Sequence, residues 1–141
     1  MRGLAPAKIN LCLYVGQLRP DGYHELVSVI QSIDLADQLE LTDGDGGDDQ
    51  VYCPGLEGPN LAERAIAAFR EATGWDGPPQ RLEIEKRIPI AAGLGGGSAD
   101  AAAALRLLAR RAGRGSDAEL LAIASSLGAD VPSQLQPGRW L

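Results

Sequence analysis

Residues 89–104 read Pro-Ile-Ala-Ala-Gly-Leu-Gly-Gly-Gly-Ser-Ala-Asp-Ala-Ala-Ala-Ala. Glycine takes backbone angles closed to other residues and lets a ligand reach the main chain without meeting a Cβ. Alanine is the strongest helix former. The stretch therefore predicts a loop at Gly93, Gly95, Gly96 and Gly97 that runs straight into a helix starting near Ser98. The first amides of a helix lack internal partners and sit at the positive end of the macrodipole, so the junction is a ready anion site, above all for phosphate. A charge-assisted hydrogen bond is worth roughly 1.5–3 kcal/mol, and several amides can hold a polyphosphate with no lysine in the loop. A flexible connector before a core helix explains glycine in general, but not four glycines beside a serine at a helix start.

Other phosphate loops fit less well. The pattern G-x-x-x-x-G-K-[ST] needs a lysine that follows none of these glycines. The dinucleotide fingerprint G-x-G-x-x-G has Ser98 where its third glycine belongs, and residues 89–92 separate it from the preceding strand.

Working outward, residues 81–88 read as a strand with Leu82, Ile84 and Ile88 inward. Lys86 breaks its alternation beside the loop; it could reach a phosphate, but snorkelling at a strand end accounts for it more simply. Beyond the loop, Ala101, Ala104, Leu105 and Leu108 share one helix face. Ser116, Asp117, Ala118 and Glu119 form a capping box for a helix that buries Leu120, Ile123, Ala124 and Leu127 and closes at Gly128. Asp130 then reads, on residues alone, as a turn aspartate.

Before the loop, residues 4–15 alternate with period two. Ala5, Ala7, Ile9, Leu11, Leu13 and Val15 predict a core-facing side, and Lys8 and Asn10 project together from the other. Residues 19–22, Arg-Pro-Asp-Gly, are a turn, followed by a strand over 26–33. Residues 34–37 read as a second turn into a short strand over 38–42. The acidic, glycine-rich run 43–49 fails the EF-hand spacing and predicts a solvated hairpin loop. Asn60 and Glu63 mark a helix start, with Leu61, Ala65, Ile66, Phe69 and Ala72 on one face.

The chain has 141 residues, 45% hydrophobic and 23% charged, with formal net charge −6. That suits one soluble globular domain and argues against a nucleic-acid binder that neutralises phosphates with side chains. Cys12 and Cys53 lack metal-type spacing, and a single histidine makes a His/Cys zinc site unsupported. With no membrane-length apolar run and no recognisable targeting segment, the expectation is a cytoplasmic protein with no membrane partner and two reduced thiols.

Four segments, in order, carry a resemblance: residues 5–11 (Ala-Pro-Ala-Lys-Ile-Asn-Leu), 21–26 (Asp-Gly-Tyr-His-Glu-Leu), 86–102, and 127–132 with Gly-Ala-Asp-Val-Pro. Together they resemble the GHMP kinases and, within them, the 4-diphosphocytidyl-2-C-methyl-D-erythritol kinases of non-mevalonate isoprenoid synthesis. The resemblance implies an α+β, two-layer N-terminal domain, with a mostly antiparallel sheet and helices on one side. It implies ATP and Mg²⁺, and transfer of the γ-phosphoryl group to the 2-hydroxyl of a small cytidine diphosphate-linked methylerythritol. By the same resemblance, Asp130 accepts the hydroxyl proton and Lys8 steadies developing charge. Pro89, Ala91, Ala92, Gly93, Leu94, Gly95, Gly96, Gly97, Ser98 and Ala99 hold the nucleotide, with Ser98 on a phosphate oxygen or the metal. Asn10, Tyr23, His24 and Asp130 bind the acceptor, the tyrosine and histidine at its cytosine. Two rivals remain: another small-molecule GHMP kinase, or a nucleotide-binding module without turnover. Because the family is longer, the resemblance also implies that residues 1–141 are its N-terminal domain without the second one, inactive alone, with residues 138–141 opening a strand and Trp140 left uncovered.

Overall fold

The computed structural model describes residues 1–20, 22, 24–56 and 58–140, with only the backbone of Arg139 and Trp140. Two long strands, β1 (Arg2–Leu18) and β2 (His24–Asp43), pair antiparallel. Then come β3 (Gln50–Tyr52), α1 (Leu61–Thr73), β4 (Gln80–Glu85), α2 (Gly96–Ala112), α3 (Asp117–Leu127), the short α4 (Val131–Gln134) and β5 (Arg139–Trp140). The sheet runs β1-β2-β4-β3, and β5 joins β2 away from that path. Every pairing is antiparallel except β3 with β4, which α1 connects as a parallel crossover.

Period-two alternation sends Leu39 and Leu41 of β2 and Leu82 and Ile84 of β4 to one face, where Leu39 meets Ile84 and Leu41 meets Leu82 across the ladder. Ala62, Ala65, Ile66 and Phe69 of α1 and Ala99 and residues 101–105 of α2 cover this face. The alanines keep α2 thin, so it lies close on the strands. A Cβ added at Gly3 of β1 would come within 3.3 Å of Leu107. Asn60 caps α1 by accepting from the Ala62 amide, and Ser116 and Glu119 complete the box on α3. Arg70 fastens the end of α1: its guanidinium grips both Asp49 carboxylate oxygens (2.6 and 2.7 Å) and the carbonyls of Trp75, Gly77 and Pro78.

Three expectations change. Residues 34–37 do not turn; β2 runs through them, and its register with β1 slips by two residues between Ser32 and Ala36. A bulge there re-aims side chains without breaking the strand. The run 43–49 is not a hairpin, since β3 pairs with β4 rather than with β2. The odd face of β1 is buried only at Ala5 and Ala7; Leu11, Leu13 and Val15 are each more than half exposed, because beyond Asn10 β1 and β2 continue as a ribbon past the helices. No helix among the described residues is long and apolar enough to cross a membrane.

Candidate functional site

The glycine loop leaves β4 and ends at Gly95, the N-cap of α2, whose φ of 70° is left-handed. The helix therefore begins at Gly96, two residues before the expected Ser98, which occupies its third position. Among the described residues the amides of Gly96, Gly97 and Ser98 have no hydrogen-bond partner, as the first turn of a helix requires. The Ala99 amide donates to the Gly95 carbonyl at 2.9 Å, and its side chain is buried. Ala91 also sits at positive φ, 59°, a conformation that a non-glycine residue holds only under local constraint. The loop walls one side of a cavity of about 400 Å³, from Pro89, Ala91, Ala92, Gly93 and Leu94 to Ser98. Leu56, Pro59, Asn60 and Leu61 form the other side. A larger hollow of about 720 Å³ lies on the far face of the sheet, among Arg2, Glu40, Glu83 and Glu85; its carboxylates make it a poor host for an anion.

Lys8 joins β1 to this loop. Its amide donates to the Leu94 carbonyl at 2.9 Å, and its stem passes so close to Gly95 that a Cβ there would sit 3.0 Å from Lys8 Cγ. The register slip between Pro6 and Lys8 turns the lysine inward, and it is buried beside Ala7. A buried ammonium needs partners. Lys8 Nζ lies 3.2 Å from Asp130 Oδ2 and donates to Asn10 Oδ1 at 3.4 Å. Asn10 is held in turn by Ser28 Oγ at 3.1 Å. Asp130 stands at the N-cap of α4, yet its carboxylate makes no cap bond, so it is not merely a turn residue. Arg106 of α2 braces both sides of this pair, donating to the Leu4 carbonyl on β1 and the Gln134 carbonyl on α4.

Lys86 corrects another expectation. It does not snorkel: its ammonium lies between two carboxylates, 2.5 Å from Asp37 Oδ2 and 2.8 Å from Asp100 Oδ2. Burial alone would lower the Lys86 pKa, but the bonds to Asp100 and Asp37 outweigh it and raise the pKa. Burial pushes the Asp100 carboxyl up to about 7 despite Lys86. The sequence reasoning missed Asp37, Asp100, Arg106 and Gln134 as parts of this region. A signal existed for the first: Asp37 shares the period-two face of Leu39 and Leu41, and no buried carboxylate stays there without a cation.

Lys8, Asn10, Asp130 and the loop are thus brought together. His24 is not: it opens β2 eight residues from Ser32, the partner of Lys8, roughly 26 Å along an extended strand. There its Nδ1 lies 3.0 Å from the Gly16 carbonyl. Tyr23 lies outside the described residues. Among the described residues no group of three or more His, Cys, Asp or Glu side chains is placed to hold a metal.

Residues 60–138 match the family model of the GHMP kinases N terminal domain. A 4-diphosphocytidyl-2-C-methyl-D-erythritol kinase of Anaeromyxobacter sp. (strain K) is 48% identical over 140 residues, 96% of this chain and 44% of that relative. One of Synechococcus sp. (strain CC9311) is 47% identical over 98% of this chain and 46% of its own length. A crystal structure of 4-(cytidine 5'-diphospho)-2C-methyl-D-erythritol kinase superposes with TM-score 0.81 at 43% identity, covering 96% of this chain and 48% of that one. Mevalonate pyrophosphate decarboxylase from Streptococcus pyogenes, at 14% identity and TM-score 0.73, shares the fold. The chain spans about half the length of the curated relatives it matches.

Proposed function

We propose, from the premise that this chain belongs to the GHMP kinases by its N-terminal domain, that it carries the nucleotide site and acid–base pair of a small-molecule kinase. That kinase transfers the ATP γ-phosphoryl group to the 2-hydroxyl of 4-diphosphocytidyl-2-C-methyl-D-erythritol. The observation that carries the reading is the 3.2 Å contact of Lys8 Nζ with Asp130 Oδ2, beside the left-handed Gly95 where α2 begins. The choice of acceptor is supported by the relatives' activity and by residues 21–26.

Phosphoryl transfer depends on positioning and charge neutralisation more than on covalent help. The unpartnered amides of Gly96, Gly97 and Ser98 take the β- and γ-phosphate oxygens, and the base enters the cavity toward Leu56 and Asn60. Asp130 accepts the proton of the acceptor hydroxyl as its oxygen bonds to the γ-phosphorus. The bond from that phosphorus to the β–γ bridging oxygen breaks, and ADP leaves. Lys8 holds Asp130 in place and faces the growing negative charge. The donor set fits Mg²⁺: Ser98 offers one hydroxyl at the anion site, and Mg²⁺ takes few protein ligands beside substrate phosphates and water. Bound there, it would offset the charge of the phosphates. The acceptor would lie along the β1–β2 ribbon, its base directed toward the His24 end. The unpaired Cys12 and Cys53 support a reducing compartment, the cytoplasm.

The test is an assay of ADP release and of the 2-phosphate ester with ATP and the cytidine acceptor. Transfer to this acceptor, and not to mevalonate or homoserine, is expected from an enzyme carrying this domain. ADP binding without transfer to any of them would reduce the reading to a nucleotide-binding module.

A further inference from the structure

The connection from β4 to α2 is long, yet its glycine amides must hold a fixed geometry to act as an anion site. Glycine makes this difficult, because it keeps the loop free to adopt many backbone states. The restraint is found behind the loop. Asp37, fully buried in the middle of β2, uses one carboxylate oxygen, Oδ1, to accept from two successive amides, Arg87 at 2.5 Å and Ile88 at 2.8 Å. Its other oxygen meets Lys86 Nζ at 2.5 Å. Three consecutive residues at the start of the connection are therefore held by one side chain.

The far end of the connection is held by the same ammonium. Asp100, on the second turn of α2 and buried, accepts from Lys86 Nζ at 2.8 Å. The loop backbone rests on the pair so formed: a Cβ added at Gly96 would lie 3.2 Å from Lys86 Nζ and 3.1 Å from Ile88 Cγ2. Lys86 and Asp100 both line the cavity of the glycine loop. Among the described residues Asp100 Oδ1 is buried with no hydrogen-bond partner, and the other oxygen, Oδ2, is the one that meets Lys86.

We propose that Asp37, Lys86 and Asp100 form a lock that ties both ends of the glycine loop together and fixes the amides of Gly96, Gly97 and Ser98 for a phosphate ligand. Asp37 and Asp100 are then positioning residues, acting on the ligand only through the loop. This rests on the reading that the loop binds nucleotide phosphate. Tying the ends removes loop freedom before binding, and preorganisation of this kind raises affinity with no new contact.

The experiment compares the 141-residue chain with its Asp100→Ala and Asp100→Asn variants at neutral pH. Alanine removes the acceptor but leaves Lys86 paired with Asp37 and suits a helix, so folding is retained. Asparagine returns an acceptor oxygen. In the ligand-free protein, Asp100→Ala should speed amide hydrogen exchange at Lys8, Ala92 and Ala99, whose amides donate to the loop carbonyls of Leu94, Pro89 and Gly95, at least about tenfold, the lower worth of one charge-assisted hydrogen bond. Exchange in α1 and α3 should stay unchanged. ADP affinity, read by calorimetry, should fall by a similar factor, and Asp100→Asn should recover most of both. Unchanged loop exchange in Asp100→Ala overturns the lock, as does equal acceleration throughout the molecule, or an asparagine variant as loose as the alanine one. If the unaltered chain fails to bind ADP, the nucleotide reading falls, and the exchange measurement still decides whether the three residues hold the loop.

Discussion

At Gly95 a hydrogen atom in place of a methyl group leaves room for the stem of Lys8. The residue is left-handed, and any side chain there meets the stem of Lys8. Gly95→Ala should therefore cost roughly 1–2 kcal/mol in stability from the backbone alone, measurable by urea unfolding, and should push Lys8 from Asp130. In an enzyme that turns over, kcat should fall more than nucleotide affinity. Asp130→Asn makes the complementary case: kcat should drop at least about a hundredfold while ADP titrations match those of the unaltered protein, and near-normal turnover would make the aspartate structural. Asp100 adds a pH dependence. Its carboxyl is pushed up to about 7 in the folded chain from an ordinary 3.8. Between those values the folded state holds a proton that the unfolded chain releases, so this contribution to stability is full below about pH 4 and is lost as pH rises through about 7. Thermal unfolding of Asp100→Asn should lack that decline, and an identical pH profile would refute the assignment. At this scale the sequence was informative where a residue type has one use, as with glycines before a helix. It did not name partners: Lys86 stood out as a break in a pattern and Asp37, on a buried strand face, called for a cation, but nothing in the sequence joined the two or added Asp100 to them.

Among the elements, α1 and α3 were legible almost to the residue, because their caps combine with a 3.6-residue apolar period. The strands were legible as strands but not in extent. Alternation marks a pleated segment and cannot say how far a neighbour covers it, so Leu11, Leu13 and Val15 were expected inside and are exposed. The turn expected at residues 34–37 failed for a related reason. Aspartates are common in turns, and two of them bracket Leu35 and Ala36 here, but a bulge inside a strand accommodates the same residues. The acidic run before β3 likewise hid a structural partner, since Asp49 receives Arg70, whose guanidinium also stacks 4.6 Å over Trp75. Side chains of this pair are only about a fifth exposed, 23% and 22%. Arg70→Met should thus lower unfolding free energy by about 3 kcal/mol, as loss of one partner from a shielded ion pair does. A change under about 0.5 kcal/mol, typical of a surface substitution, would show that the clamp holds nothing.

For the whole molecule, the formal charge of −6 opposes the approach of a nucleotide, and the proposed anion site draws on backbone dipoles. A site made of lysines and arginines weakens steeply with salt. Here, ADP affinity should stay level or rise between about 50 and 300 mM NaCl, as screening removes the general repulsion; a steep fall would mean that side-chain cations carry the binding. The branching of the sheet at β2 has a different consequence, for the order in which the chain folds. One edge of β2 takes β4 along residues 38–43 and β5 at Ile30 and Gln31, and the Ser32 amide donates to the Gly138 carbonyl at 2.8 Å. The β1–β2 ribbon closes through a short turn and can form early, whereas the Ser32–Gly138 seam joins residues 106 apart in sequence, and so distant a closure is late and slow. In refolding followed by pulsed hydrogen exchange, amides in the ribbon should gain protection first and the Ser32 amide last. The last seam to close is then also the first to open when the protein begins to unfold.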